Sequence, residues 1–167
     1  LTGILILTAL AYLPVMKGDF LADEYILILK SPMVQHPPSI PEFFLQKFWP
    51  GKVQDIYYRP VVVLSYAFNW KFNKTAPLGY HLFNTILHLA NLILFYLLFR
   101  KWFPNQALLA SAIFAIHPVL TEAVAKISGR TDLLATFFIF LCWYLWTIVE
   151  GKTRWRKIVI YLTIAIS

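Results

Sequence analysis

The chain has 167 residues, 59% of them hydrophobic and only 14% charged, with a mean hydropathy of +0.64 and a formal net charge of +7. A soluble domain carries about 25% charged residues, so this composition excludes an ordinary soluble protein and points to the membrane class. The basic residues are scattered beside apolar runs, which argues against nucleic acid as a partner and for topology signals and anion contacts.

Five apolar stretches are candidates for membrane helices, each of which needs about 20 residues. The first covers residues 1–16, "LTGILILTALAYLPVM". No basic region precedes it and no small-residue cleavage site follows it before Lys17, so a span is preferred to a signal peptide. The second covers 79–99, and the third covers 107–117, which is short unless it continues past Pro118. The fourth covers 133–149, and the fifth starts near residue 158 and runs to residue 167. The chain opens without methionine and closes inside an apolar stretch, which reads as a piece of a longer protein. Cys142 is the only cysteine, so neither an internal disulfide nor a CxxC pair is available.

The basic loops "RKWFPNQ" and "EGKTRWRK" belong in the cytoplasm by the positive-inside rule. The N-terminus is then cytoplasmic, and the loops 17–78 and 118–132 face the extracytoplasmic side, in a bacterial inner membrane or the endoplasmic reticulum. Seven of the eight acidic residues fall on that outer side: Asp19, Asp23, Glu24, Glu42, Asp55, Glu122 and Asp132. Loop 17–78 is long, rich in proline and aromatics, and reads as functional. Its stretch 59–72 is too short to span, so one or two interfacial helices are expected there. A short sixth span at 60–73 would invert everything after it and ranks second. The expected fold is an all-α integral membrane protein: a helical bundle of about five spans with a long first outer loop.

Three groups of polar residues could carry chemistry. In "GDFLADEYI", Asp23 and Glu24 are adjacent and in regular structure point to different sides. On an irregular backbone they can converge, and crowding would make one a better base. A simple solvated pair is the bland alternative. In "HPVLTEAVAKISGRTDLL", Pro118 disfavours helix at His117, Thr121 looks like the N-cap of a short helix, Gly129 suits its end, and Thr131 suits a cap for the fourth span. Ionisable groups at a membrane boundary must be wet or paired and mark sites. Glu122, Lys126 and Arg130 follow four-residue spacing and would share a face; an Arg130–Asp132 pair in a hydrated loop is the alternative. In the second span, His81, Asn84, His88 and Asn91 form one stripe that should face other helices. His81 or His88 opposite His117 could ligate a haem, but polar helix packing is favoured, with His81 and His117 as donors to an anionic headgroup. Asn73-Lys74-Thr75 is a glycosylation triplet. No phosphate-cradling glycine loop, nucleophile elbow or standard metal motif is present.

"FAIHPVLTEAVAKISGRTDLLA", with "YYRPVVVLSYAFNWKFN…GYHLFNTILHLANLILFYLLF" and "DFLADEYI" upstream, resembles the N-terminal membrane part of the transmembrane-and-TPR O-mannosyltransferase (TMTC) family, in that order of blocks and over about residues 17–149. The resemblance implies a GT-C-type helical bundle with a large first outer loop. It implies that a paired acidic motif, here Asp23-Glu24, carries catalysis, and that a second acidic position falls on Glu122. It further implies a polyprenyl-phosphate-linked sugar as donor and, in the longer family members, more spans followed by TPR repeats. Asp23 would be the base for a hydroxyl on an acceptor protein or glycan. Arg130, Arg59, Lys126 and His117 would meet the departing lipid phosphate, and Glu24 and Glu122 would orient the acceptor or a divalent cation. A single displacement would invert the sugar carbon, unlike retaining glycosidases. A non-catalytic transmembrane subunit, packed with other membrane subunits and lipid, is the alternative function.

Overall fold

The computed structural model describes residues 1–45 and 58–148, which are helical with no strand. The expected fifth span, the basic residues Lys152, Arg154, Arg156 and Lys157, and Glu150, Asp55, Trp49 and Tyr57 lie outside the described residues.

Helix α1 (Thr2–Ala11) runs into a 3-10 turn at Leu13–Lys17 that has Pro14 in its first turn. After Gly18 come the short α2 (Ala22–Glu24), a wide π turn over Tyr25–Leu29, α3 (Pro32–Gln35) and α4 (Ile40–Phe43). The stretch expected to be interfacial holds α5 (Pro60–Asn73), a 14-residue helix. The long α6 (Pro77–Trp102) follows. Pro77 starts it, a position where the missing N–H costs nothing.

The third apolar run is α7 (Ala107–Ala115). It breaks at Ile116 and His117, because a residue before proline is pushed out of the helical region. Pro118 then opens α8 (Pro118–Ala125), tilted 53° from α7. The N-cap of α8 is His117, whose Nδ1 accepts from the Val119 N–H at 3.3 Å. Thr121, expected to be the cap, sits inside the helix instead, because proline at the first position sets the start four residues earlier. A 3-10 turn over Ile127–Gly129 leads directly into α9 (Arg130–Ile148), so Thr131 lies within α9 and does not cap it.

Among the described residues, Pro77–Trp102 and Ile127–Ile148 are long and apolar enough to cross a membrane. Two bent pairs, Thr2–Lys17 with Ala22–Leu29 and Ala107–Ala115 with Pro118–Ala125, bring the number to four if each is one span. The described residues thus offer two to four spans, and the expected fifth lies outside them.

Helix α6 is the centre of the bundle and packs against α1, α5, α7, α8 and α9. The stripe seen in the sequence lies on its inner side: His81, Asn84, His88 and Asn91 are all at most 2% exposed. Asn91 donates to the Leu133 carbonyl at 3.0 Å, and His88 Nε2 lies 3.0 Å from the Ala115 carbonyl. These contacts tie α6 to α9 and α7. A ring nitrogen facing a carbonyl carries the proton, so this nitrogen of His88 is not a haem ligand here. The segment between α1 and α5 makes its own core. Ile28, Val34 and Phe43 pack with Val63 and Tyr66 of α5 and with Tyr80 of α6. Where water is the alternative, each such side chain contributes about 1.5–3 kcal/mol, enough to fold the 20–43 segment down onto the helices.

Candidate active site

The segment holding Asp23 and Glu24 and the turn that follows α8 meet directly. Glu24 is 2% exposed. Its Oε1 accepts from the Ser128 N–H at 2.9 Å and from the Ser128 hydroxyl at 3.3 Å. Its Oε2 accepts from the Leu21 N–H at 2.9 Å. Buried carboxylates require such partners, and all three donors here are neutral. Asp23 is exposed. Between Leu21 and Asp23 the backbone of Ala22 has φ 22°, a region L-residues avoid and one that stores strain. The adjacent carboxylates are therefore split: one is turned into the protein and one out of it.

The turn that receives Glu24 is itself clamped. Asn84, fully buried, donates through Nδ2 to the carbonyls of Lys126 at 2.9 Å and Ile127 at 3.4 Å. The Tyr66 hydroxyl of α5 donates to the same Ile127 carbonyl at 3.0 Å. Burial, the largest cause, pushes the Tyr66 phenol well above its ordinary range, so it stays a proton donor. Gly129 closes the turn for a steric reason: a Cβ there would lie 2.3 Å from the Ala123 carbonyl oxygen and 2.7 Å from its Cα. Gly18 plays a similar part beside the site, where a Cβ would lie 3.0 Å from His81 Nε2.

Arg130 is 0% exposed. Its Nε donates to Asn84 Oδ1 at 2.9 Å, and its Nη1 donates to Asn69 Oδ1 at 2.6 Å and to the Ser65 carbonyl at 3.3 Å. Its Nη2 donates to the Tyr80 carbonyl at 3.0 Å. The guanidinium lies over the rings of Tyr66 and Phe83, 4.7 and 4.4 Å from their centroids. Among the described residues no carboxylate pairs with it; neutral dipoles and ring faces solvate the charge. This corrects three expectations. Arg130 does not share a face with Glu122 and Lys126, because α8 ends at Ala125, where extended backbone at Lys126 breaks the four-residue register. With its donors engaged inside the protein, it does not present itself to a lipid phosphate, and it does not pair with the exposed Asp132.

Of the other expected site residues, Glu122 and Lys126 lie at the rim of the turn. Glu122 and Lys126 are exposed and hydrogen-bonded to each other. The hydrogen bond to Glu122 and then its charge push Lys126 above the ordinary lysine range, and Glu24 and Asp23 add to that shift. Lys126 therefore feels both carboxylates of the pair as well as its own partner. Arg59 reaches Thr131 at the start of α9, with Nη1 3.4 Å from Oγ1. His117 is exposed, and its Nδ1 is occupied by the cap to Val119. Its ring helps line an apolar groove of about 470 Å³ with Phe95, Phe99, Phe114 and Leu120. Asn73, the asparagine of the glycosylation triplet, donates to the Asn69 carbonyl at 3.3 Å and packs against Gly79.

A divalent cation would need a gathered set of oxygen ligands. Among the described residues no group of three or more His, Cys, Asp or Glu side chains is placed to hold a metal. The oxygens of Glu24 accept from Ser128 and Leu21, and one oxygen of Glu122 accepts from Lys126.

Comparison with known proteins gives a consistent result. The chain is 37% identical over 141 residues to a protein O-mannosyl-transferase of Caenorhabditis elegans, covering 79% of this chain and 20% of that protein. It is 30% identical over 173 residues to protein O-mannosyl-transferase Tmtc1 of Drosophila melanogaster, covering 100% of this chain and 20% of the relative. Against protein O-mannosyl-transferase TMTC1 of Mus musculus it is 35% identical over 144 residues, 80% of this chain and 15% of the relative. The chain thus spans about a fifth or less of the length of these relatives. No family model and no solved structure matches it. Similarity across most of the chain to several proteins of the same printed activity places it in the TMTC-like family of protein O-mannosyl-transferases.

Proposed function

We propose that this segment is the membrane portion of a glycosyltransferase of GT-C type that moves a mannose from a polyprenyl-phosphate donor to a hydroxyl acceptor on the extracytoplasmic side. Asp23 takes the proton of the acceptor hydroxyl. The freed oxygen attacks the anomeric carbon from the face opposite the phosphate. The bond from that carbon to the phosphate oxygen breaks, the electron pair leaves with the lipid phosphate, and the sugar carbon inverts in one displacement. Lys126, Arg59 and His117 are the cationic or hydrogen-bonding groups for the departing phosphate. Glu122, paired with Lys126, orients the acceptor. Arg130 serves the site from inside, by holding the turn.

The observation that carries this reading is the contact of Glu24 with Ser128. It brings the acidic segment of the first loop onto the turn after α8, so the carboxylate pair, Lys126 and Glu122 belong to one neighbourhood. The test is Asp23→Asn in the full-length protein, reconstituted in vesicles with a polyprenyl-phosphate-mannose donor and a hydroxyl-bearing acceptor peptide. The expected result is a fall in transfer of about 10²-fold or more. Transfer at the unaltered rate would leave the non-catalytic membrane subunit as the better reading.

A further inference from the structure

Glu24 and Asp23 are adjacent in the chain but differ in surroundings, and the difference originates in a residue 104 positions away. Ser128 offers both its N–H and its hydroxyl to one oxygen of Glu24, while Leu21 holds the other. The groups behind Ser128 are fixed in turn. Asn84 and Tyr66 hold the carbonyls of Lys126 and Ile127, Arg130 is locked by Asn84 and Asn69, and Gly129 is pressed on the backbone of Ala123. A carboxylate held by two donors on one oxygen and one on the other has little freedom to rotate. Its backbone is then fixed as well, and the strained Ala22 keeps Asp23 facing outward.

We infer that Ser128 is a positioning residue for the transfer reaction: with the clamped turn around it, it forms a socket that anchors Glu24 and so sets the direction of Asp23. This rests on the reading of Asp23 as the base. The socket contributes order and no proton. Its loss leaves Asp23 chemically intact but spread over more orientations, which reduces the fraction poised for proton transfer.

The test uses the full-length protein in vesicles, with the same mannose donor and acceptor peptide. Ser128→Ala removes the hydroxyl and keeps the N–H, and is expected to lower kcat three- to tenfold with the acceptor KM unchanged within twofold. Ser128→Thr retains the hydroxyl and is expected to recover most of the rate, which a purely structural serine would not require. In a double-mutant cycle, Glu24→Gln with Ser128→Ala should be no slower than Glu24→Gln alone, because the hydroxyl acts only through that carboxylate. An unaltered kcat in Ser128→Ala, or losses that multiply in the double variant, would overturn the socket. Asp23→Asn in the same assay keeps the two failures apart. Full activity there overturns the catalytic reading and the positioning role with it. An inactive Asp23→Asn beside an unaffected Ser128→Ala overturns the socket alone.

Discussion

The inside of the turn after α8 and its outer rim hold the same kinds of side chain under opposite physical conditions. Inside, Arg130 and Glu24 are buried charges with no ion pair between them, each solvated by neutral donors, acceptors or rings. At the rim, Glu122 and Lys126 form an exposed pair that water and salt can replace. A buried charge cannot lose its partners without a large penalty, whereas an exposed one can. The inner groups are therefore suited to fix geometry. The rim groups, able to exchange a partner for a substrate, are suited to chemistry.

Replacing Arg130 tests this contrast most severely. Arg130→Met is expected to destabilise the folded protein by about 3–5 kcal/mol, as removal of one member of a buried polar network does. Asn69 and Asn84 would be left with buried carbonyl oxygens lacking donors. The measurement is the thermal midpoint of the detergent-solubilised full-length protein, with loss of monodisperse protein as the extreme. A midpoint close to that of the parent would mean that the neutral groups around Arg130 are satisfied without it, and the inner region would lose its special standing.

Two substitutions of intermediate effect sharpen the comparison. Gly129→Ala puts a methyl against the backbone of Ala123, which cannot swing aside, and should cost about 1–3 kcal/mol. Glu24→Gln turns one carboxylate oxygen into an amide that faces an N–H donor, at either Ser128 or Leu21, and should also cost about 1–3 kcal/mol. Asp23→Asn, one residue earlier but exposed, should leave the midpoint unchanged and affect transfer alone. Equal midpoints for the two isosteric variants would remove the division between an anchored and a free carboxylate.

Much of the fold could be read from the sequence. Unbroken apolar runs give α6 and α9 their length, and Pro118 alone accounts for the break at His117. The stripe of His81, Asn84, His88 and Asn91 points inward because polar groups in a bundle turn towards other helices. The site was less legible. Asp23, Glu24, Glu122 and Lys126 stand out by charge, but Ser128 is an ordinary serine whose role depends on a contact 104 residues away. Arg130 was misplaced by extrapolating helical spacing through a break. No local rule announces the extended backbone at Lys126; it follows from the clamp by Asn84 and the close approach of Gly129, both of which are tertiary. The haem reading relied on histidine placement along the spans, and the cation reading on the resemblance. In the structure His88 faces the Ala115 carbonyl, Glu24 accepts from Ser128, and Glu122 is bonded to Lys126.

Glu122→Gln is expected to have the smallest effect on folding and is the most informative about the rim. Its carboxylate is exposed and bonded to a lysine one helical turn further along, an arrangement that adds little to stability once side-chain entropy and screening are counted. The thermal midpoint should therefore not move. If Glu122 has the proposed role, transfer should fall all the same, with a raised acceptor KM, because the charge that would orient the acceptor and that bonds Lys126 is lost. Raised salt should weaken the parent's transfer in the same direction, since it screens the same exposed charges. If midpoint, rate and KM all stay at their parent values, Glu122 is a solvated surface residue, and the reactive side of the turn narrows to Asp23 and the groups that meet the phosphate.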